Sequence, residues 1–144
     1  MTAEDRTHHT MPITYSLEPD LPAEEFRAVL VASTLGERRP INDPARLDRM
    51  LRHADVIATA RDGGRLVGVS RAITDFSYCC YLSDLAVDVA YQRQGIGKRL
   101  IGETHKAAGE LTSLILVAAP AAEAYYPRIG MRQRPSCWTL PRAK

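Results

Sequence analysis

A chain of 144 residues, 45% hydrophobic and 25% charged, has the length and apolar content for one globular domain with a single core. Its formal net charge of +2 is too small for the overall field to draw a nucleic acid or a membrane surface, so any anion site has to come from local arrangement. Three cysteines, two adjacent (Cys79, Cys80) and one distant (Cys137), have neither zinc-ligand nor redox-pair spacing and read as reduced thiols. No run approaches the ~20 apolar residues of a membrane span, and the start "MTAEDRTHHTMPI" lacks the apolar core of a signal peptide. The expected location is therefore the cytoplasm, and no metal site is expected.

Residues 1–11 are polar and patternless and read as a flexible arm, in which His8-His9 is solvated; a single domain is expected over 12–144. "ITYSL" (Ile13 to Leu17) reads as the first strand. Pro19 and Pro22 then introduce "AEEFRAVLVAS", with Phe26, Val29, Leu30 and Ser33 on one face at helical spacing. Asp43 is the natural N-cap of a second helix with Pro44 at its first position and Leu47, Met50, Leu51 and Ala54 as its apolar stripe. From Asp55 the period changes to that of strands, with Asp62-Gly63-Gly64 placed as a hairpin turn, and three consecutive antiparallel strands are expected. Helical spacing returns from Ile96 through Leu100, Thr104, Ala107, Ala108 and Leu111. "LILVAA" (Leu114 to Ala119) has the unbroken apolar character of a strand covered on both faces, which makes a β-α-β unit with parallel strands. Pro120 opens a last helix through Tyr125 and Tyr126, ended by Gly130, and "QRPSCWTL" reads as a closing strand.

The stretch "VDVAYQRQGIGKRLIGETH" (Val87 to His105) places Gly95 and Gly97 among Gln92, Arg93, Lys98 and Arg99, between a strand and a helix. A helix start leaves about four backbone N–H groups without intrahelical partners and adds roughly half a positive charge, which together form an anion site. Glycines there let the backbone approach a phosphate, and the basic residues supply charge-assisted contacts. The alternative is an ordinary helix start with a solvated basic face. A Walker A loop is excluded, since Lys98 is followed by Arg99 and the earlier glycine is missing. The dinucleotide fingerprint would need glycine at Leu100 and an acidic residue near Leu114 to Val117, and has neither.

What Gln92-Arg93-Gln94-Gly95-Ile96-Gly97 does resemble is the Q/R-x-x-G-x-G/A pyrophosphate loop of the GNAT (GCN5-related N-acetyltransferase) superfamily. "LSDLAVDVAYQRQGIGKRLI" is similar to that family's strand, loop and helix, and "AEAYYPRIGM" is similar to its later "FYxxLGF" helix, in the expected order. The resemblance covers residues 12–140 in element order and is strongest over 82–131. Within the superfamily, "SRAITDFSYCCYLSDLAVDVAYQRQGIG" and "YYPRIGMRQRPSCWTLPR" look most like the plastid- and cyanobacterial-type arylalkylamine (serotonin-like) N-acetyltransferases and their bacterial relatives. The fold implied is α/β (α+β): a mixed, mostly antiparallel sheet flanked by about four helices, in which parallel strands four and five splay apart to admit acetyl-CoA.

The activity the resemblance implies is acetyl transfer from acetyl-CoA to a primary amine that attacks the thioester directly, with no metal. The alternative is a catalytically silent acyl-CoA-binding or sensor module. The implied cofactor contacts are the backbone of Leu85, Ala86 and Val87 for the pantetheine arm, and Gln92, Arg93, Gln94, Gly95, Ile96, Gly97, Lys98 and Arg99 for the pyrophosphate. Tyr126 is the implied general acid for the departing thiolate, against the plain reading of a packed aromatic. Tyr125 beside it faces elsewhere by helical geometry and is expected in the core. A lysine-like amine of pKa about 10.4 is neutral in only about one molecule in a thousand at pH 7.4, so a base or a water wire has to take its proton. Asp84, a carboxylate on an apolar strand, is the candidate base, and a structural hydrogen bond is the other reading of it. Many relatives carry Asn seven residues before the tyrosine, where this chain has Ala119. On the implied fold Phe76, Tyr78, Tyr81 and Trp138 lie near the acceptor end of the cleft, where they favour an aromatic or long-chain amine, with core packing as the other reading of most of them; an arylalkylamine or a polyamine fits the small-molecule amine partner. Arg38-Arg39-Pro40 reads either as a lure for an acidic substrate or as a solvated charge pair. Nucleic-acid and membrane partners are not expected, and a homodimer is left open.

Overall fold

The structure is a computed structural model and describes residues 12–143; the arm expected over 1–11 and His8-His9 within it lie outside the described residues. Five strands form one sheet in chain order: β1 (Ile13–Leu17), β2 (Val56–Asp62), β3 (Arg65–Thr74), β4 (Cys79–Val87) and β5 (Ser113–Ile115). β1 to β4 are antiparallel neighbours, and β4 and β5 are parallel. Four α-helices accompany them: α1 (Ala23–Ala32), α2 (Pro44–Arg52), α3 (Ile96–Ala108) and α4 (Tyr125–Arg128). This is the mixed, mostly antiparallel sheet with four helices that the sequence implies.

Local chemistry explains the elements. The β2–β3 hairpin turns at Gly63-Gly64, with Gly63 at φ +61° and Asp62 paired with Arg65, a left-handed corner that favours glycine. Asp43 caps α2 by accepting from the Arg46 amide at 3.1 Å, with Pro44 following. Phe26, Val29, Leu30, Leu47 and Leu51 pack α1 and α2 onto one face of the sheet, against Ile57, Val69 and Ala86. The opposite face takes α3, whose Ile96 and Leu100 meet Ala58, Ala60 and Val67. Gly68 permits that approach, because a Cβ there would lie 3.0 Å from Leu100 Cδ1 and 3.2 Å from Ile96 Cγ2.

Four expectations are corrected. The α3 pattern stops at Ala108, not Leu111, because Gly109 turns to φ +105°, and Leu111 is 93% exposed. The apolar run Leu114 to Ala119 contributes only Leu114 and Ile115 to the sheet, in β5 behind Ser113 and half-exposed at its edge, since no further strand among the described residues covers it and Pro120 follows. "QRPSCWTL" forms no strand and is exposed throughout: Pro135 has no N–H to give a ladder, and the three-residue β5 offers little edge to pair with. The final helix is divided into a 3₁₀ turn over Pro120–Ala122 and α4, with Gly130 at φ +89° behind it.

Candidate active site

β4 outruns its parallel partner. Pairing with β5 covers only Cys79, Cys80 and Tyr81 against Ser113, Leu114 and Ile115, after which β4 continues to Val87 while the segment after β5 leaves the sheet. A cleft opens between them, with Leu82, Ser83 and Leu85 on the β4 side and Leu116, Val117 and Ala119 opposite. Tyr126, Ala122, Leu35 and Arg39 complete its wall. Against β3, β4 carries one extra residue: Arg71 pairs with Asp84 and the next residue, Ala72, with Leu82, which leaves Ser83 as a bulge facing the cleft. A bulge re-aims backbone groups away from the ladder, here beside a strand edge without a neighbour.

At the far end of β4, Asp88 turns the chain by accepting from the Ala90 amide at 2.9 Å. Arg93 sits in the left-handed region at φ +65° and Gly95 at φ +83°. Gly95 is the N-cap of α3 and offers no side-chain acceptor, so the cap residue itself does not occupy the first amides of the helix, where an anion can bind. A Cβ on Gly95 would meet nothing within 4 Å, whereas one on Gly97 would lie 2.9 Å from the Tyr125 hydroxyl oxygen. Tyr125 thus reaches over the start of α3 and is not a core residue. Burial raises its phenol pKa, with the Lys98 backbone amide pulling the other way.

Tyr126 packs edge-to-face on Tyr125, ring centroids 5.3 Å apart at 75°. Burial, then the neighbouring Tyr125, hold its pKa above the ordinary phenol value of 10.0. A phenol so placed stays protonated at neutral pH.

The sequence profile of the acetyltransferase (GNAT) family matches residues 21–131. The chain belongs to that family. No curated protein matches it significantly. Solved structures do: a GNAT-family acetyltransferase from Streptococcus pneumoniae is 24% identical at a TM-score of 0.72, covering 92% of this chain and 98% of that one. A probable acetyltransferase from meticillin-resistant Staphylococcus aureus is 21% identical at 0.73, covering 92% and 100%. An aminoglycoside N-acetyltransferase in complex with CoA is 15% identical at 0.70, covering 91% and 95%. At these identities the structures establish a shared GNAT fold; the narrower likeness to arylalkylamine enzymes has no counterpart among them.

Within this GNAT domain the residues expected at the site divide into groups. Leu85 lines the cleft, Ala86 is buried toward α1, and Val87 packs on the α3 side. Gln92 gives its side-chain amide to the Val87 carbonyl at 3.0 Å. Arg93, Gln94 and Lys98 are exposed around the α3 start, where Ile96 is buried under it. Arg99 turns away: its Nε binds Glu103 at 2.8 Å and its guanidinium lies 4.5 Å from the Tyr15 ring centroid. Phe76, Tyr78, Tyr81 and Trp138 do not line the cleft; all are exposed, and Tyr81 borders a separate apolar groove with Ile73, Cys80 and Ile115.

Asp84 has a different setting from that expected of a base. It is 0% exposed, with one oxygen accepting from Arg39 Nε and the other from Arg71 Nε. An acceptor amine can reach it only by displacing an arginine. Arg71 is not assigned to the site from the sequence, and Arg39 is read only within Arg38-Arg39-Pro40, as a lure for an acidic substrate or a solvated charge pair. For Arg71 a signal existed: a buried charge on an apolar strand requires an opposite charge, and Asp84 is its cross-strand partner.

Proposed function

We propose that this GNAT acetyltransferase moves an acetyl group from acetyl-CoA to a small-molecule primary amine, with Tyr126 as general acid. The observation that carries the reading is Tyr126 in the wall of the cleft formed where β4 outruns β5. The fit to acetyl-CoA rests on two further features: an α3 start whose cap, Gly95, puts no side chain on the helix amides, and an unpaired β4 edge along which an extended arm can bind as an added strand does. The CoA complex of the aminoglycoside N-acetyltransferase supports the same cofactor here. Acetyl-CoA supplies the acetyl thioester. The acceptor nitrogen forms a bond to the carbonyl carbon and the carbon–sulfur bond breaks. Tyr126 gives its phenol proton to the sulfur, and the proton lost by the acceptor nitrogen on amide formation passes through water in the cleft and restores the phenol, because Asp84 is enclosed by its arginines.

Two measurements test the reading together. Acetyl-CoA is expected to raise the melting temperature in proportion to the logarithm of its concentration once it exceeds Kd, and to release free thiol only when an amine is added. A thermal shift with NAD or ATP and none with acetyl-CoA overturns it; a shift without amine-dependent thiol release leaves a silent acyl-CoA-binding module.

A further inference from the structure

The ten residues that line the cleft include one charged side chain, and it is cationic: Arg39. It follows the 3₁₀ turn over Leu35–Arg38 and has a side-chain exposure of 21%. It is held rigidly, with Nε on Asp84, Nη2 on the Ser83 carbonyl at 2.8 Å and Nη1 on the Arg38 carbonyl at 2.8 Å. These bonds use three of the five guanidinium N–H groups. Two remain without a partner among the described residues, on a residue that lines the cleft.

Behind Arg39 the charge does not cancel. Asp84 is shared with Arg71, whose side chain also binds Ser83 Oγ at 3.0 Å and the Met50 carbonyl at 3.3 Å. Two guanidiniums against one carboxylate leave one positive charge, in a partly desolvated setting where it is felt more strongly than in water. A polycationic acceptor would find repulsion here and no carboxylate in the wall to offset it. Arg39, preorganised by three bonds and with two donors to spare, matches a planar carboxylate. The same positive charge favours the neutral form of a nearby amine over its ammonium, and only the neutral form is a nucleophile.

We propose that Arg39 is a specificity-determining residue and that the acceptor is an amine bearing a carboxylate of its own, an amino-acid-like small molecule. This rests on the acetyl transfer proposed above and narrows its substrate class. Asp84 and Arg71 are then positioning residues that hold the Arg39 guanidinium against the cleft.

The test compares acceptors differing only in the carboxylate: L-phenylalanine with phenethylamine and L-leucine with isoamylamine, with spermidine as the polycation, each rate corrected for its fraction of neutral amine. The carboxylated member of each pair is expected to have kcat/KM about 10- to 100-fold higher, the range a charge-assisted hydrogen bond gives. In Arg39→Gln that ratio should collapse toward one, and Arg39→Lys should restore part of it. The acetyl-CoA thermal shift serves as the control for folding, and the wild-type panel decides the matter should the variant not fold. Equal rates within each pair, a preference for spermidine, or acetyl-CoA binding with no carboxylated amine acetylated overturns the assignment to Arg39. Failure of the acetyl-transfer reading is distinct: no thermal shift with acetyl-CoA and no thiol release with any amine.

Discussion

Gly97 and Tyr125 are fitted to each other, since a Cβ at 97 would lie 2.9 Å from the phenol oxygen but 3.5 Å from the ring carbon that bears it. Gly97→Ala is therefore expected to lower stability in the wild-type background and to cost much less in Tyr125→Phe, where the oxygen is gone. A thermodynamic cycle should show coupling of about 0.5–3 kcal/mol; additive effects would mean that the two side chains do not touch. Tyr126→Phe tests the chemistry instead. It keeps the ring and its edge-to-face packing on Tyr125, and kcat is expected to fall about 10²–10⁴-fold with acetyl-CoA affinity nearly constant. Because burial raises the Tyr126 pKa, the high-pH fall in kcat should lie above the ordinary phenol value and vanish in the variant. Near-normal turnover with that limb intact would remove Tyr126 from the mechanism.

At the scale of elements, the β3–β4 turn depends on one exposed carboxylate. Asp75 Oδ1 accepts from the amides of Tyr78 at 2.8 Å, Ser77 at 3.0 Å and Cys79 at 3.1 Å. Those bonds, Tyr78 first, lower its pKa from 3.8 to about 2. A depressed carboxylate pKa stabilises the fold above the unfolded value and ceases to do so as pH falls through the folded one. The turn should thus be fully held at neutral pH and loosen between about pH 4 and pH 2. NMR titration of the Asp75 carboxyl measures this directly, and a midpoint near 3.8 would contradict the geometry. The elements that the sequence made legible are those with local determinants: Asp43-Pro44 for α2, Gly63-Gly64 for the hairpin, Gly95 and Gly97 for the α3 start. The misread segments depend on what lies alongside. An apolar run such as Leu114 to Ala119 needs a covering layer to become a buried strand, and periodicity carries no information about that layer. The site follows the same division. The motif pointed to Tyr126, which lies in the cleft wall, whereas Arg39 and Arg71 reach Asp84 across 45 and 13 residues, a meeting that only the lone charges on apolar strands hint at.

For the whole molecule, the three layers α1–α2, sheet and α3 form the core, and the segment after Met131 lies outside it. Every described residue from Arg132 to Arg142 is exposed, Trp138 at 91% and Leu140 at 97%. Since stabilisation scales with apolar area removed from water, removing this segment should cost the isolated chain little. Deletion from Arg132 onward is expected to shift the melting temperature by less than a core truncation such as Leu47→Ala, which removes a side chain at 0% exposure and should cost about 2–5 kcal/mol. Trp138 is the single tryptophan, so its fluorescence reports on this segment alone. It should emit as a hydrated indole in the native protein, be quenched freely by iodide, and change little across global unfolding. A blue-shifted, protected emission would instead mean that the tail is covered in solution. Concentration-dependent loss of that protection on dilution would then identify the cover as a second copy of the chain, while protection independent of concentration would show the tail folded back on its own sheet edge.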